Sequence, residues 1–375
     1  IGSLVPLLVL KRIQMAGHRP VALAGGATGM IGDPSFKAAE RRLNSPEVIQ
    51  EWTEKIKQQV SRFIDLEGDN AAMVVNNLDW TEGLSAIDFL RDIGKHYRLG
   101  TMLAKDTVAR RLASEEGISF TEFSYQILQG MDYLELFRRH GCTLQTGGND
   151  QWGNLLSGVD LIHRVEGQSV HVLTTPLITK ADGTKFGKSE GGAVWLAPDM
   201  MSPYAFYQFW LNQADADVIN YVKVFTFLGR DEIGELEQSG ANEPFKRAAQ
   251  RRLAWEVTQL VHGADAAQGA VDASAALFGR GELAALDEAT LAGVAKELGG
   301  VDGSPQLTVA EAFVAAGVVE SKGAARRAVQ EGGAYVNNVK VDDADAELSS
   351  HGALAGGWYV LRRGKKTTGL LRAIG

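Results

Sequence analysis

Residues 20–33 read PVALAGGATGMIGD, an apolar run followed at once by glycines at 25, 26, 29 and 32. The run 20–24 is short and bounded by Pro and Gly, which predicts a buried strand entering a tight turn. Residues 72–75 (AMVV) repeat the pattern, and 170–173 form a third strand candidate. Between the first two, residues 46–64 carry apolar positions at helical period. Ser45 stands as N-cap and Pro46 at the first helical position, where its missing N–H costs nothing. Further helices are expected at about 101–114, 121–139 and 151–165. Strands alternating with helices predict βαβ units, and so an α/β fold with a mostly parallel, Rossmann-like sheet.

Beyond residue 202 the strand signal fades. Segments 215–227, 231–238 and 244–262 read as helices, which gives a helical domain over 203–300. Residues 299–305 (GGVDGSP) read as a linker, with three Gly and a Pro in seven positions. After it comes a small α+β tail over 305–375. Thr308 and Glu311 have capping-box spacing, and β-rich segments follow at 334–341 and 358–363. Three domains are expected, the first spanning 1–202.

Composition narrows the function. The 375 residues are 45% hydrophobic and carry a net charge of −8, ordinary values that exclude a disordered chain. No run approaches 18 uninterrupted apolar residues, so no membrane span is expected. The single cysteine, Cys142, excludes a disulfide framework or a multi-cysteine zinc site, and fits a cytoplasmic, reducing setting. The first residue is Ile, and a segment upstream of it is expected.

Four segments carry chemistry. The glycines of 25–32 let backbone approach a ligand, and their amides can face an anion; a tight βα turn is the competing reading. Lys37 and Arg41 follow four residues apart, on one helical face, where two cations can hold a polyphosphate or simply face solvent. Residues 182–189 (DGTKFGKS), with Lys180 before them, put three lysines among glycines and small polar residues. That describes a cationic loop able to close over a triphosphate, or an exposed basic hairpin. Residues 147–154 (GGNDQWGN) place Asp150 and Gln151 at a strand-to-helix junction, where α/β folds bind ligands. Tyr125, Gln129 and Asp132 are spaced i, i+4, i+7, so one helical face bears all three.

Together with NNLDW, FLRDIGKH, GISFTEFSY, LQGMDY, SPYAFYQFW, LVHG, SKGAARRAVQEGGAYVNN and LRRGKK, these segments closely resemble tyrosyl-tRNA synthetases of the bacterial type over nearly the whole chain. The resemblance implies a class I catalytic domain, a helical anticodon-recognition domain and an S4-like RNA-binding domain. It implies activation of L-tyrosine by ATP with Mg2+, transfer to tRNA(Tyr), and a homodimer. Lys185 and Lys188 match the family's phosphate-binding loop lysines, joined by Lys37 and Arg41. Asp150 matches the carboxylate on the ATP ribose, with Gly148 beside it, and Gly2 matches the ATP-binding N-terminal signature. Gln129 and Gln151 match residues near the amino acid's carboxylate and amino group, Asp33 and Tyr125 ammonium binders, and Asp132 the acceptor for the phenol. The tail's Lys322, Arg326, Arg327, Arg362, Arg363, Lys365 and Lys366 form a local basic surface for tRNA phosphates, despite the negative total charge.

Three departures accompany the match. Ile1-Gly2 fall at the centre of the family's N-terminal signature, with Ser3 where a His usually stands. After His96 the family usually has Phe-Ser-Val-Asn, whereas this chain has Tyr97-Arg98-Leu99-Gly100. The Asn is expected to organise the phenol end of the pocket, and Gly100 removes it. Thr146 and Asn149 replace residues that are usually Ile and small. A paralogue of altered amino-acid specificity, or an inactive tRNA-binding paralogue, are the alternatives these departures leave open.

Overall fold

Local sequence decides many element boundaries in the computed structural model, which describes residues 1–31, 45–115, 117–184, 186–189, 192–277, 281–364 and 367–374. The chain divides into two compact units, Gly2–Phe186 and Gly187–Gly375 with Ile1.

In the first unit, helix α1 (Leu4–Met15) precedes strand β1 (Val21–Ala24) and the six-residue helix α2 (Gly26–Ile31). Helix α3 (Pro46–Val60) starts where Ser45 Oγ accepts from the Val48 amide, as the cap predicts. Strand β2 (Met73–Asn76) then pairs in parallel with β1, Val21 opposite Met73 and Ala24 opposite Asn76. The 21-residue helix α4 (Phe120–His140) begins at the Ser119 cap and ends on Gly141 at φ 64°, a left-handed position suited to glycine. It leads to strand β3 (Leu144–Gly148), helix α5 (Trp152–Glu166) and strand β4 (His171–Thr175), which pairs in parallel with β3. The parallel sheet therefore consists, among the described residues, of two two-stranded βαβ pairs. The core lies between α4 and α5, with Tyr133, Leu134, Leu161 and Ile162 fully buried. Gly158 admits Tyr133, since a Cβ there would come 2.8 Å from the Tyr133 Cβ.

The helix expected over 101–114 is two helices, Leu99–Leu103 and Asp106–Leu112. Lys105 between them is extended, with its ammonium donating to the Gly153 carbonyl at 2.7 Å.

The second unit opens with a two-residue hairpin, Lys188–Ser189 against Gly192–Ala193. Six helices follow: α6 (Pro203–Leu211), α7 (Asp215–Phe225), α8 (Arg230–Asn242), α9 (Ala248–His262), α10 (Ala264–Leu277) and α11 (Glu288–Leu298). Trp210, Phe206, Tyr221 and Phe225 build their aromatic centre, with Trp210 and Phe225 ring centroids 4.8 Å apart.

The expected linker at 299–305 is not one. Val301–Gly303 forms strand β5 and pairs in parallel with β9 (Thr367–Ala373), Val301 opposite Leu371. Glycine-rich composition marked the turn out of α11, but the strand's partner lies some seventy residues later and leaves no local trace. Helix α12 (Val309–Ala315) starts on the Thr308–Glu311 capping box, with both reciprocal bonds made, and α13 (Lys322–Gln330) follows. Strands β6 (Ala334–Val336), β7 (Val339–Lys340), β8 (Trp358–Arg363) and β9 complete a sheet of order β5-β9-β8-β6-β7. Alternation along β8 sends Tyr359 and Leu361 into the core with α12 and α13. The opposite face sends Trp358 and Val360, with Leu370, against Ala273, Leu277, Leu291 and Val294 of α10 and α11. The tail is thus docked by an apolar core onto the helical segment.

Candidate active site

The glycine-rich turn after β1 is occupied by protein, not left open to an anion. Asn76 Oδ1 accepts from the Gly26 amide at 3.1 Å and Asn77 Oδ1 from the Ala27 amide at 2.8 Å, so two side chains cap α2. A Cβ at Gly26 would overlap Asn76 Oδ1, which is why glycine is needed there. The Gly29 amide donates to the Gly25 carbonyl at 2.7 Å, so the amides of 26, 27 and 29 are taken by protein, while Gly32 lies outside the described residues.

Asn77 continues into the site. Its Nδ2 donates to Thr28 Oγ1 at 3.0 Å and to Asp132 Oδ2 at 2.9 Å, while Trp80 Nε1 donates to Asp132 Oδ1 at 2.9 Å. Asp132 is 2% exposed. Burial pushes its carboxyl up to about 6, against the bonds from Asn77 and Trp80 that favour the ionised form. Two donors occupy two of a carboxylate's roughly four acceptor positions. The remaining capacity suits one further donor, such as a hydroxyl.

The same helix carries the half-buried Gln129 one turn earlier and Tyr125 two turns earlier. Gln129 Nε2 donates to Gln151 Oε1 at 3.3 Å, and Gln151 Nε2 to Asp150 Oδ2 at 3.1 Å. Gln129 Oε1 is buried and accepts no hydrogen bond from the described residues. The structure therefore brings together Gln129, Gln151 and Asp150 as one hydrogen-bonded chain, with Asp132 on the helix that begins it. Gly148 lies at the end of β3, where a Cβ would overlap Asp150 Oδ1, and Gly147 packs against Gln151, whose Cβ would be 3.3 Å from a side chain there. Two glycines thus let the backbone fold tightly beneath the polar pair.

Residues 180–184 form a tight turn. Lys180 N–H donates to Thr184 O at 2.9 Å and Gly183 N–H to Lys180 O at 2.9 Å. Asp182 accepts from the Thr184 amide and hydroxyl at 2.8 and 2.6 Å, which hold its carboxyl below the usual range. Lys188 lies in the short hairpin strand. Lys185, and Asp33, Lys37 and Arg41, fall outside the described residues. Gly2 is exposed just before α1.

Asn77, Trp80 and Lys105 were given no role by sequence reasoning. Asn77 and Trp80 lie in the quoted NNLDW motif, but their partner is more than fifty residues away. The position expected to organise the phenol end was Gly100. It is exposed, and a Cβ there would meet nothing within 4 Å, while Asn77 and Trp80 serve Asp132 instead.

In the tail, Lys322 pairs with Glu311 at 2.7 Å and Arg326 with Asp345 at 2.7 Å. The Arg362 guanidinium lies 4.2 Å from the Tyr335 ring centroid. Arg327 and Arg363 are exposed, and Lys365 and Lys366 lie outside the described residues.

The model of class I tRNA synthetases (W and Y) matches residues 1–279, and that of the tyrosine–tRNA ligase SYY-like C-terminal domain matches 294–371. The chain is 61% identical over 368 residues to a tyrosine–tRNA ligase of Leifsonia xyli, covering 98% of this chain and 83% of that one. It is 58% identical to the tyrosine–tRNA ligase of Streptomyces coelicolor over 376 residues, covering 100% and 89%. A C-terminally truncated mitochondrial tyrosyl-tRNA synthetase of Aspergillus nidulans matches in structure with TM-score 0.66 at 30% identity, covering 73% of this chain and 81% of that one. With the buried Asp132 acceptor and the Gln129–Gln151–Asp150 chain in place, these matches settle the family: the chain belongs to the tyrosine–tRNA ligases, within the class I tRNA synthetases.

Proposed function

We propose that this chain activates L-tyrosine with ATP and transfers the tyrosyl group to tRNA(Tyr). Identity near 60% across nearly the full chain to curated tyrosine–tRNA ligases carries the reading. In the first step the tyrosine carboxylate attacks the α-phosphorus of ATP, forming tyrosyl-adenylate and releasing pyrophosphate. A ribose hydroxyl of the tRNA then takes the acyl group and AMP leaves. The attacking carboxylate is already ionised, so positioning and charge stabilisation supply the catalysis.

Asp132 takes the phenolic hydroxyl as donor. A buried carboxylate already fixed by two N–H groups is costly to leave facing an apolar ring, so phenylalanine is rejected; tyrosine against phenylalanine is itself the standard example of this rule. Gln129 Oε1, buried and accepting no bond from the described residues, accepts from the substrate ammonium, a role shared with Tyr125 and Asp33. Gln151 holds the carboxylate side, and Asp150 with Gly148 the ATP ribose. Lys185, Lys188, Lys37 and Arg41 hold the phosphates and the leaving pyrophosphate. ATP arrives as its Mg2+ complex. Gly2 approaches the nucleotide.

The catalytic part spans 1–202, the anticodon-recognising helices 203–300 and the S4-like part 305–375. Arg327, Arg363, Lys365 and Lys366 reach tRNA phosphates directly, while Lys322, Arg326 and Arg362 exchange their present partners for them. The protein works in the cytoplasm as a homodimer, to which the exposed Ile87, Leu90, Leu99 and Phe120 offer apolar surface. Among the described residues no helix is long and apolar enough to cross a membrane.

ATP–pyrophosphate exchange tests the first step. Tyrosine is expected to drive it and phenylalanine or tryptophan to fail; exchange with another amino acid alone refutes the assignment. A monomeric mass in solution refutes the dimer.

A further inference from the structure

The segment from His96 to Lys105 runs along one face of α5. Arg164 donates to the His96 carbonyl, the Tyr97 hydroxyl donates to the Ser157 carbonyl at 3.4 Å, and Lys105 Nζ donates to the Gly153 carbonyl at 2.7 Å. Residues 153, 157 and 164 are four and seven apart and so share a helical face. Tyr97 also reaches past α5 to α4. A Cβ on Gly130 would overlap the Tyr97 hydroxyl, lie 3.3 Å from its Cζ and come 3.0 Å from Ser157 Oγ. Ser157 Oγ lies 2.9 Å from the Gln126 carbonyl of α4 and 2.6 Å from the Asn154 carbonyl of its own helix, and its one proton serves either.

Glycine inside a long helix costs about 1 kcal/mol relative to alanine, so Gly130 calls for a packing reason. The Tyr97 hydroxyl supplies one. Tyr97 stands where the resembled family usually carries Phe, so its hydroxyl is the additional group at this contact, and the bare Cα of Gly130 is what admits it. Gly130 directly follows Gln129 and precedes Asp132 by two residues. Its turn of α4 therefore carries two of the side chains assigned to tyrosine.

We propose that Tyr97 is a positioning residue for the amino-acid pocket: its hydroxyl, seated where a Gly130 side chain would otherwise be, fixes the turn of α4 that presents Gln129 and Asp132. The inference rests on the ligase reading for what those two residues bind, and on packing alone for the pairing itself. A methyl at 130 and a hydroxyl at 97 compete for one space. With the hydroxyl gone a methyl at 130 still meets Ser157 Oγ at 3.0 Å and the ring Cζ at 3.3 Å, contacts that a shift of a few tenths of an ångström relieves; with the hydroxyl present the two overpack and push the turn.

The test is a double-mutant cycle of Gly130→Ala, Tyr97→Phe and the pair. Each protein is read by thermal denaturation and by tyrosine-dependent ATP–pyrophosphate exchange. Gly130→Ala is expected to lower the melting temperature and raise KM for tyrosine about tenfold, with KM for ATP within about twofold. Adding Tyr97→Phe is expected to bring both back towards wild type. Should Gly130→Ala fail to fold, the double variant is expected to fold and bind tyrosine.

A wild-type KM in Gly130→Ala overturns the proposal, as does a defect that Tyr97→Phe does not relieve. Equal movement of both KM values would make the contact merely structural and overturn it too. Absence of tyrosine-dependent exchange in the wild type would strike the ligase reading instead. The melting cycle would still decide the pairing.

Discussion

Replacing Asn77 by alanine is the most informative single perturbation of the site. It removes the 2.9 Å donation to Asp132 Oδ2, the 3.0 Å donation to Thr28 Oγ1 and the acceptor of the Ala27 amide at 2.8 Å. A hydrogen bond to a charged group contributes about 1.5–3 kcal/mol, and an orphaned buried amide costs about 1–3 kcal/mol. The fold should lose about 3–5 kcal/mol, a large share of a typical stability. The pH dependence is the sharper readout. Asp132 titrates near 6 when folded and lower when unfolded, so the unfolded chain releases its proton first as pH rises. Stability from this group therefore falls as pH rises from about 4 to about 6 and is level above. Without Asn77 the ionised carboxylate keeps only Trp80, and the folded pKa moves further up. The loss caused by Asn77→Ala should thus be larger at pH 8 than at pH 5. In exchange assays, KM for tyrosine should rise below about pH 6 in the wild type and from a higher pH in the variant. Urea denaturation at the two pH values and KM from pH 5.5 to 8.5 are the assays. An equal destabilisation at both pH values, with an unmoved KM profile, would refute the role given to Asn77.

Gly26→Ala should lower stability by about 1–3 kcal/mol, because the new Cβ displaces Asn76 from the cap of α2. Gly29→Ala should be far milder, since its Cβ meets Ile49 Cγ2 at an ordinary 3.4 Å; melting temperatures compare them. Glu122→Ala should cost about 3–5 kcal/mol by leaving the Arg111 guanidinium, 2.7 Å from it and also buried, as an uncompensated charge; chemical denaturation checks this. Leu370→Ala should cost about 2–5 kcal/mol and expose the residue 298–306 region to protease, since Leu370 is fully buried between the tail sheet and α10–α11; unchanged proteolysis would mean the tail is only tethered.

How much of this was legible in the sequence depends on the range of the interaction concerned. Ser45, Ser119 and Thr308 announce helices because a cap and the amide it satisfies lie within three residues. The i, i+4, i+7 spacing of Tyr125, Gln129 and Asp132 is likewise a property of one helix. The side chains that hold Asp132 and the turn before α2 are not local to them. Asn76 and Asn77 reach α2 across 50 residues, and Asp132 receives its donors from 52 and 55 residues away. Nothing in the NNLDW segment alone says that its Asn and Trp converge on a carboxylate. The same limit explains the misread stretch at 299–305. Three glycines and a proline describe its backbone freedom correctly, yet parallel pairing with Thr367–Ala373 depends on an edge the chain has not reached at that point. It also explains why the glycine-rich turn suggested a ligand: bare amides following a strand look available until the side chains that occupy them are placed. Each capped amide has a consequence for the chemistry. By holding Gly26 and Ala27 through Asn76 and Asn77, the protein ties the turn to Asp132, so a phenol on that carboxylate and the start of α2 share one hydrogen-bonded frame. If Asp132 takes the phenol as proposed, a substitution in the turn that never touches the substrate should still move KM for tyrosine through Asn77.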